Sequence, residues 1–398
     1  MKPLSGYRVL DLSNVLSGPF CGCQLAHLGA EVIKIEVPIR GDLARQLGLD
    51  VELNQKLMGA TFLAQNSGKR SITINLKSVE GVAVFKRLVK TADVIVENFR
   101  PGVMDRLGVG YEALKDLNPD LVYCAISGFG QEGPLKSRPA YDQIIQGMSG
   151  TMSITGDAES APLRVGYPVA DTIGGITAAF AISAALAKQD GKRGTFIDVS
   201  MLESVMCTMG FAISNYFNAN QEPQPMGNDN FTGSPSGTFR TGSGLINIAA
   251  NKQEQFEATC HVLGLHELCE NPKFAIRQAR LENRAELSEI LNLALMAHST
   301  DEWTVLLNDA GVPCGPVLTV PEALAQPQIA ERGMVATFTD VPGVDRDIQV
   351  TRTGIKLDGK TPSVDKPPPM LGEHTDEILV ELGFTDTEIK TLKGGKAI

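Results

Sequence analysis

The chain of 398 residues is too long for one ordinary hydrophobic core and points to two domains. With 43% hydrophobic and 21% charged residues, it has the composition of a soluble globular protein that buries a sizeable core. A net charge of −10, from 36 basic and 46 acidic residues, argues against nucleic acid as the main partner, while an anionic small ligand needs only a local basic cluster.

The first residues enter a strand pattern without the long apolar run of a leader peptide. The most apolar stretch, residues 173–187, is rich in Ala and Gly and shorter than a bilayer span, so no membrane partner is expected. Seven scattered cysteines, an odd number, favour free thiols in a reducing cytoplasm over a disulfide framework.

In chain order, residues 7–12 form the first predicted strand, followed by a break at Gly18-Pro19 and a helix to about residue 28. Residues 30–36 are a second strand and 71–75 a short third, with a helix over 78–90. Strands at 92–97 and 121–126 continue the series. Buried apolar strands alternating with helices imply a largely parallel sheet with helices on both faces. Ligands of such sheets bind beyond the carboxyl ends of the strands, where Asn98, Phe99, Ser127 and Gly128 fall. Basic residues are dense in this first third: Arg40, Lys69, Arg70, Lys77, Arg100 and Arg106.

A long small-residue helix is predicted from Thr172 to about Lys188, with Asp171 at its start. An Asp there is an ordinary N-cap. It is also a carboxylate beside free N–H groups and the positive end of a helix dipole, which favours its ionised form. Residues 194–200 form the next strand, and Ser200-Met-Leu-Glu203 is a capping-box pattern. Residues 218–244, rich in Asn, Gln, Pro, Ser and Gly, show almost no regular pattern and suggest a linker or lid. A smaller unit follows, with a strand at 245–249 and helices near 253–263, 284–297 and 301–310. The tail carries a strand at 347–350 and a last helix near 376–382.

Several familiar chemistries lack their signatures. Gly128-Phe-Gly-Gln-Glu-Gly133 matches the dinucleotide pattern, but Pro134 stands where a helix should start and no acidic residue follows near twenty positions on. The five histidines have no metal-ligand spacing, and Cys21-Gly-Cys23 is too close for half of a usual zinc site. There is neither a nucleophile elbow nor a phosphate-binding P-loop. Asp171 is the best remaining candidate for a nucleophile.

The chain resembles the family III CoA-transferases, the group that includes formyl-CoA transferase and the carnitine CoA-transferases. The resemblance is carried in order by Val9-Leu-Asp-Leu-Ser13 with Gly18-Pro19, Gly29-Ala-Glu-Val-Ile-Lys-Ile-Glu36 with Gly41-Asp42, and Asn66-Ser-Gly-Lys-Arg-Ser71. It continues through Asp93-Val-Ile-Val-Glu-Asn-Phe-Arg-Pro-Gly102, Ser127-Gly-Phe-Gly130 with Gly133-Pro134, and Arg138-Pro-Ala-Tyr-Asp142. Pro313-Cys-Gly-Pro-Val317 and Leu371-Gly-Glu-His-Thr-Asp376 complete it.

The resemblance implies an α/β fold: a Rossmann-like parallel-sheet large domain built from both chain ends (1–217 and 321–398), plus a smaller α+β domain (245–320) reached through the linker 218–244. It implies an interlocked homodimer. Its catalytic aspartate falls on Asp171, which would pass an acyl group through a mixed anhydride and an enzyme–CoA thioester. Gly174 and Gly175 would leave room for the acyl group beside the backbone. Coenzyme A enters as a thioester substrate, with no permanently bound cofactor and no metal. The acyl-CoA contacts fall on Val15, Leu16, Ser17, Ile74, Lys77, Asn98, Phe99, Arg100, Arg106 and Tyr141. Leu16-Ser17 replaces the family's Gln-Ala, and Val37 replaces an Arg whose charge Arg40 would supply. Gly233-Ser-Pro-Ser-Gly237 or Gly242-Ser-Gly244 would stand in for a glycine loop that covers the site.

Two other activities fit parts of this pattern. An α-methylacyl-CoA racemase would need a histidine where Tyr141 stands, and without it the two-base mechanism loses a member. A catalytically silent CoA-binding protein would keep the basic residues without needing Asp171. The general resemblance is closer to the bacterial transferases that use succinyl-CoA with small dicarboxylates (itaconate, mesaconate, malate) than to the oxalate enzymes, with polar acceptors such as carnitine left open.

Overall fold

The computed structural model describes residues 2–188 and 193–398. Six strands form one parallel sheet: β1 (Arg8–Asp11), β2 (Glu31–Glu36), β3 (Lys69–Thr73), β4 (Val94–Glu97), β5 (Val122–Ser127) and β6 (Thr195–Ser200). Their spatial order is β3-β2-β1-β4-β5-β6, the doubly wound arrangement whose direction reverses between β1 and β4. Apolar residues on both faces explain the continuous apolar runs. Val9, Val32, Val94 and Val122 pack against Leu25 and Ile182 on one side. Leu10, Ile33, Ile95 and Tyr123 pack against Phe85, Leu88 and Ile378 on the other.

The helix Ser17–His27 follows β1 and takes Gly18 and Pro19 into its first turn, so the predicted break is a helix start. β3 begins at Lys69, two residues earlier than the sequence pattern suggested, and this moves two cations out of the ligand-facing set. Lys69 is fully buried, 2.7 Å from the Asp11 carboxylate. Arg70 is spent on Glu31, Glu377 and Glu381. Both hold the fold together.

The helix Val169–Leu186 starts three residues before its predicted position. By length and composition it is apolar enough to cross a membrane. Eight of its residues, from Ala170 to Leu186, are nevertheless buried against the protein core, where small side chains allow close packing. Ile176 and Phe180 face outward, exposed by 49% and 75%.

The chain divides into two compact units. The first gathers Met1–Thr151, Arg164–Ser214 and Pro327–Ile398. Within it, helices Thr375–Glu381 and Asp386–Gly394 pack on the parallel sheet, and β10 (Val335–Phe338) pairs antiparallel with β11 (Ile348–Thr351). The second comprises Met152–Leu163 and Asn215–Gln326. It holds an antiparallel sheet of β7 (Ser236–Arg240), β8 (Leu245–Ala249) and β9 (Cys314–Pro316) over a core of Phe239, Ile246, Phe256, Leu291 and Trp303. β7 lies inside the stretch expected to have no regular structure. Its sequence Ser-Gly-Thr-Phe-Arg holds one large apolar residue, too few to show alternation.

Candidate active site

Asp171 is the third residue of its helix, not the cap. The capping role belongs to a residue 29 positions earlier. The buried Asp142 carboxylate accepts the backbone N–H of Ala170 at 2.8 Å and that of Asp171 at 3.4 Å. Asp142 is held in turn by Gln146, one turn along the helix Asp142–Met148, whose Nε2 donates to its second oxygen at 2.7 Å. Gln146 Oε1 accepts the Val165 N–H at 2.9 Å, tying down the segment that leads into the Asp171 helix.

This arrangement reverses the expectation that the helix end keeps Asp171 ionised. Its carboxyl is pushed up to about 7, first by withdrawal from water and then by the negative charge of Asp142. Asp142 has taken the N–H groups that would have stabilised a charge on Asp171. Among the described residues, the Asp171 carboxylate has no hydrogen-bond donor. The result is a poorly solvated carboxyl that titrates near neutrality, suited to nucleophilic attack or proton transfer.

The glycines after Asp171 serve packing and do not make room for an acyl group. A Cβ on Gly175 would stand 2.5 Å from the Ser17 carbonyl oxygen and 3.1 Å from the Phe20 ring. One on Gly174 would stand 2.9 Å from Met201 Cγ. Gly175 therefore lets the Asp171 helix rest on the backbone at the start of helix Ser17–His27, one turn from the carboxylate. The close approach is between Gly175 and the first turn of helix Ser17–His27.

Most of the other expected contacts lie in the segments that follow β1 to β4. Val15, Leu16 and Ser17 form the loop after β1. Arg40 follows β2, Lys77 follows β3, and Arg100 and Arg106 follow β4. All four cations are exposed, and none forms an ion pair among the described residues. Their charge is available to an anion. Tyr141, exposed by 68%, occupies the N-cap position beside Asp142, and no histidine shares this place. Phe99 is half-buried against the sheet core, with its N–H donating to the buried Glu97 carboxyl at 2.7 Å. Burial pushes Glu97 up to about 8.

Two expected contacts have other duties. Ile74, only 1% exposed, is packed in the core and offers no side-chain surface to a ligand. The Asn98 amide is spent on the β1 loop: Oδ1 accepts the Asn14 N–H at 2.7 Å and Nδ2 donates to the Asn14 carbonyl at 2.8 Å. Gly128-Phe-Gly-Gln-Glu-Gly133 is a turn clamped between neighbouring strands, with the Gln131 N–H donating to Asp198 at 2.8 Å. Gly242-Ser-Gly244 is the β7–β8 turn, closed by the Thr241 N–H on the Gly244 carbonyl at 2.9 Å, and Gly237 lies within β7.

Sequence reasoning gave Asp142 and Asp42 no role beyond the resemblance and passed over Gln146; Asp142 and Gln146 pair on the helix Asp142–Met148. These two stand four apart on one helix face, a spacing that signals a pair but not its target.

A doubly wound sheet with four exposed cations after its strands, and a carboxyl raised to about 7, fits an enzyme that binds an anionic ligand and works on it with a carboxylate. The chain belongs to CoA-transferase family III, whose profile matches residues 4–375, and it is a CoA-transferase. It is 36% identical over 390 residues to succinate–glutarate CoA-transferase of Agrobacterium fabrum, covering 96% of both chains. It is 35% identical over 392 residues to succinyl-CoA:mesaconate CoA-transferase of Haloarcula marismortui, covering 96% of this chain and 97% of the relative. A CAIB/BAIF family protein from Brucella suis superposes with a TM-score of 0.83 at 37% identity, covering 96% of this chain and 99% of the other.

Proposed function

We propose that the protein transfers CoA from succinyl-CoA to a second small dicarboxylate, with Asp171 as the covalent relay. The carrying observation is the Asp171 carboxyl, donor-free and raised to about 7, at a helix start that rests on the β1 loop. The relatives' dicarboxylate substrates support the choice of acid.

One Asp171 oxygen attacks the thioester carbonyl, the C–S bond breaks, and CoA leaves as thiolate with an aspartyl–succinyl anhydride in place. The thiolate then attacks the aspartyl carbonyl, releasing succinate and forming an aspartyl–CoA thioester. A carboxylate oxygen of the acceptor displaces the thiolate to give a second anhydride. Attack by the thiolate on the acceptor carbonyl completes the new thioester and frees Asp171. Every step exchanges one acyl leaving group for another, so no net proton or water is consumed. Poor solvation of Asp171 favours attack over a solvated resting state. Arg40, Lys77, Arg100 and Arg106 meet the phosphates of CoA, and Tyr141 stands near its thiol end.

The working unit of this reading is an interlocked cytoplasmic homodimer that retains no cofactor. Ile176 and Phe180, apolar and exposed on one side of the Asp171 helix, support a second copy covering that face. Light scattering of the purified protein tests the dimer, and a monomer refutes it. For the chemistry, the protein is incubated with succinyl-CoA and glutarate, and intact mass is recorded before and after adding the acceptor. A CoA adduct on Asp171 that disappears with glutarate, and is absent in Asp171→Ala, is expected. Equal transfer by Asp171→Ala, or racemisation of a 2-methylacyl-CoA without an acceptor, overturns the reading.

A further inference from the structure

The loop between β1 and helix Ser17–His27 is held in a conformation its own residues disfavour. Val15 has φ 66°, and a β-branched side chain in the left-handed region is a costly exception. Such a backbone persists only where its surroundings over-determine it. Here side chains hold it from two directions. Asp42 Oδ1 accepts the Val15 N–H at 2.9 Å. Asn98 grips both backbone groups of Asn14, at 2.7 and 2.8 Å, and its Nδ2 also reaches Ser17 Oγ at 3.4 Å. Behind Asp42 lies the fully buried Lys34, 2.9 Å from its carboxylate, and Lys34 Nζ donates to the Ser13 carbonyl at 2.9 Å.

We infer that Asp42 and Asn98 are positioning residues that hold Val15-Leu16-Ser17 as a preformed platform for the nucleotide end of the acyl-CoA. The inference rests on the proposed placement of acyl-CoA at this loop. Asn98 has no free amide hydrogen left for a ligand, since both are committed to Asn14 and Ser17. It acts through the loop. Fixing the loop before binding removes an ordering cost from the complex, and the strain at Val15 is the mark of that fixation.

The test compares Asn98→Ala in two backgrounds, wild type and Val15→Gly, because glycine enters the left-handed region without strain. In the wild-type background, KM for succinyl-CoA rises about tenfold while kcat at saturation stays within about twofold. In the Val15→Gly background the rise shrinks to about twofold, because the loop no longer needs the grip. A residue touching the ligand would cost the same in both backgrounds, and that result overturns the inference. Asn98→Asp, which keeps the accepting oxygen and loses the donor, serves as the second variant if Asn98→Ala does not fold. Calorimetric titration of wild type with free CoA separates the two levels. No binding at all means the placement of CoA fails. Binding with equal losses in both backgrounds means that only the positioning inference fails.

Discussion

Asp142 caps the helix that presents Asp171, its Oδ1 accepting Asp171's own backbone N–H at 3.4 Å. Two carboxylates thus share one helix end. Asp142 is bound to the N–H groups, and Asp171, withdrawn from water beside it, is pushed up to about 7.

This division predicts a pH profile. The proposed attack by Asp171 requires its ionised form, so kcat/KM for acyl-CoA should climb about tenfold per unit below pH 7 and level off above it. Asp142→Asn keeps an oxygen for the cap but removes the like charge, so the acid limb should move to lower pH. Initial rates from pH 5 to 9 measure this, and an unmoved limb in Asp142→Asn contradicts it.

Stability should respond with a definite sign. Folded Asp171 holds its proton up to about pH 7, whereas the unfolded chain releases it near about 4. Its contribution is therefore fully present below about pH 4 and is lost as pH rises through about 7. Asp171→Asn should melt at a higher temperature than wild type at pH 8, with the gap narrowing towards pH 5. A gap that widens at low pH would be the wrong sign.

The two glycines after Asp171 should differ in cost. Gly175→Ala drives a methyl to 2.5 Å from a backbone oxygen that cannot step aside. A loss of about 1–3 kcal/mol in denaturant unfolding is expected, with activity falling as the helix shifts off the β1 loop. Gly174→Ala meets the flexible Met201 side chain and should cost less. The reverse order would show that the helix contact is not the tight one.

A dicarboxylate needs a cation for its far end. Arg164 is exposed and forms no ion pair among the described residues, one position before Val165, which Gln146 ties to the Asp142 cap. Arg164→Ala should raise KM for glutarate about tenfold and leave a monocarboxylate of similar length unchanged. Equal effects on both acids would remove Arg164 from acceptor selection.

The alternating strands and helices were visible from apolar runs, because such runs record which short segments are buried and are local in the chain. β7 escaped for the same reason: one Phe in five residues leaves no alternation to see. Asp171 stood out by elimination and by its place before a small-residue helix. Its cap could not be seen, because Asp142 reaches it across 29 positions. Lys69 and Arg70 were misjudged because two residues of strand boundary decide whether a side chain meets ligand or protein.

Residue order alone established an α/β chain with the ordered segments of its family and singled out one carboxylate as the candidate nucleophile, since each of these is written in neighbouring residues. Folding decided the rest: which Asp caps the helix end, which cations form no ion pair among the described residues, and how Val15 is held. Those properties depend on burial and on partners far apart in the chain, and only packing brings them within a few ångströms.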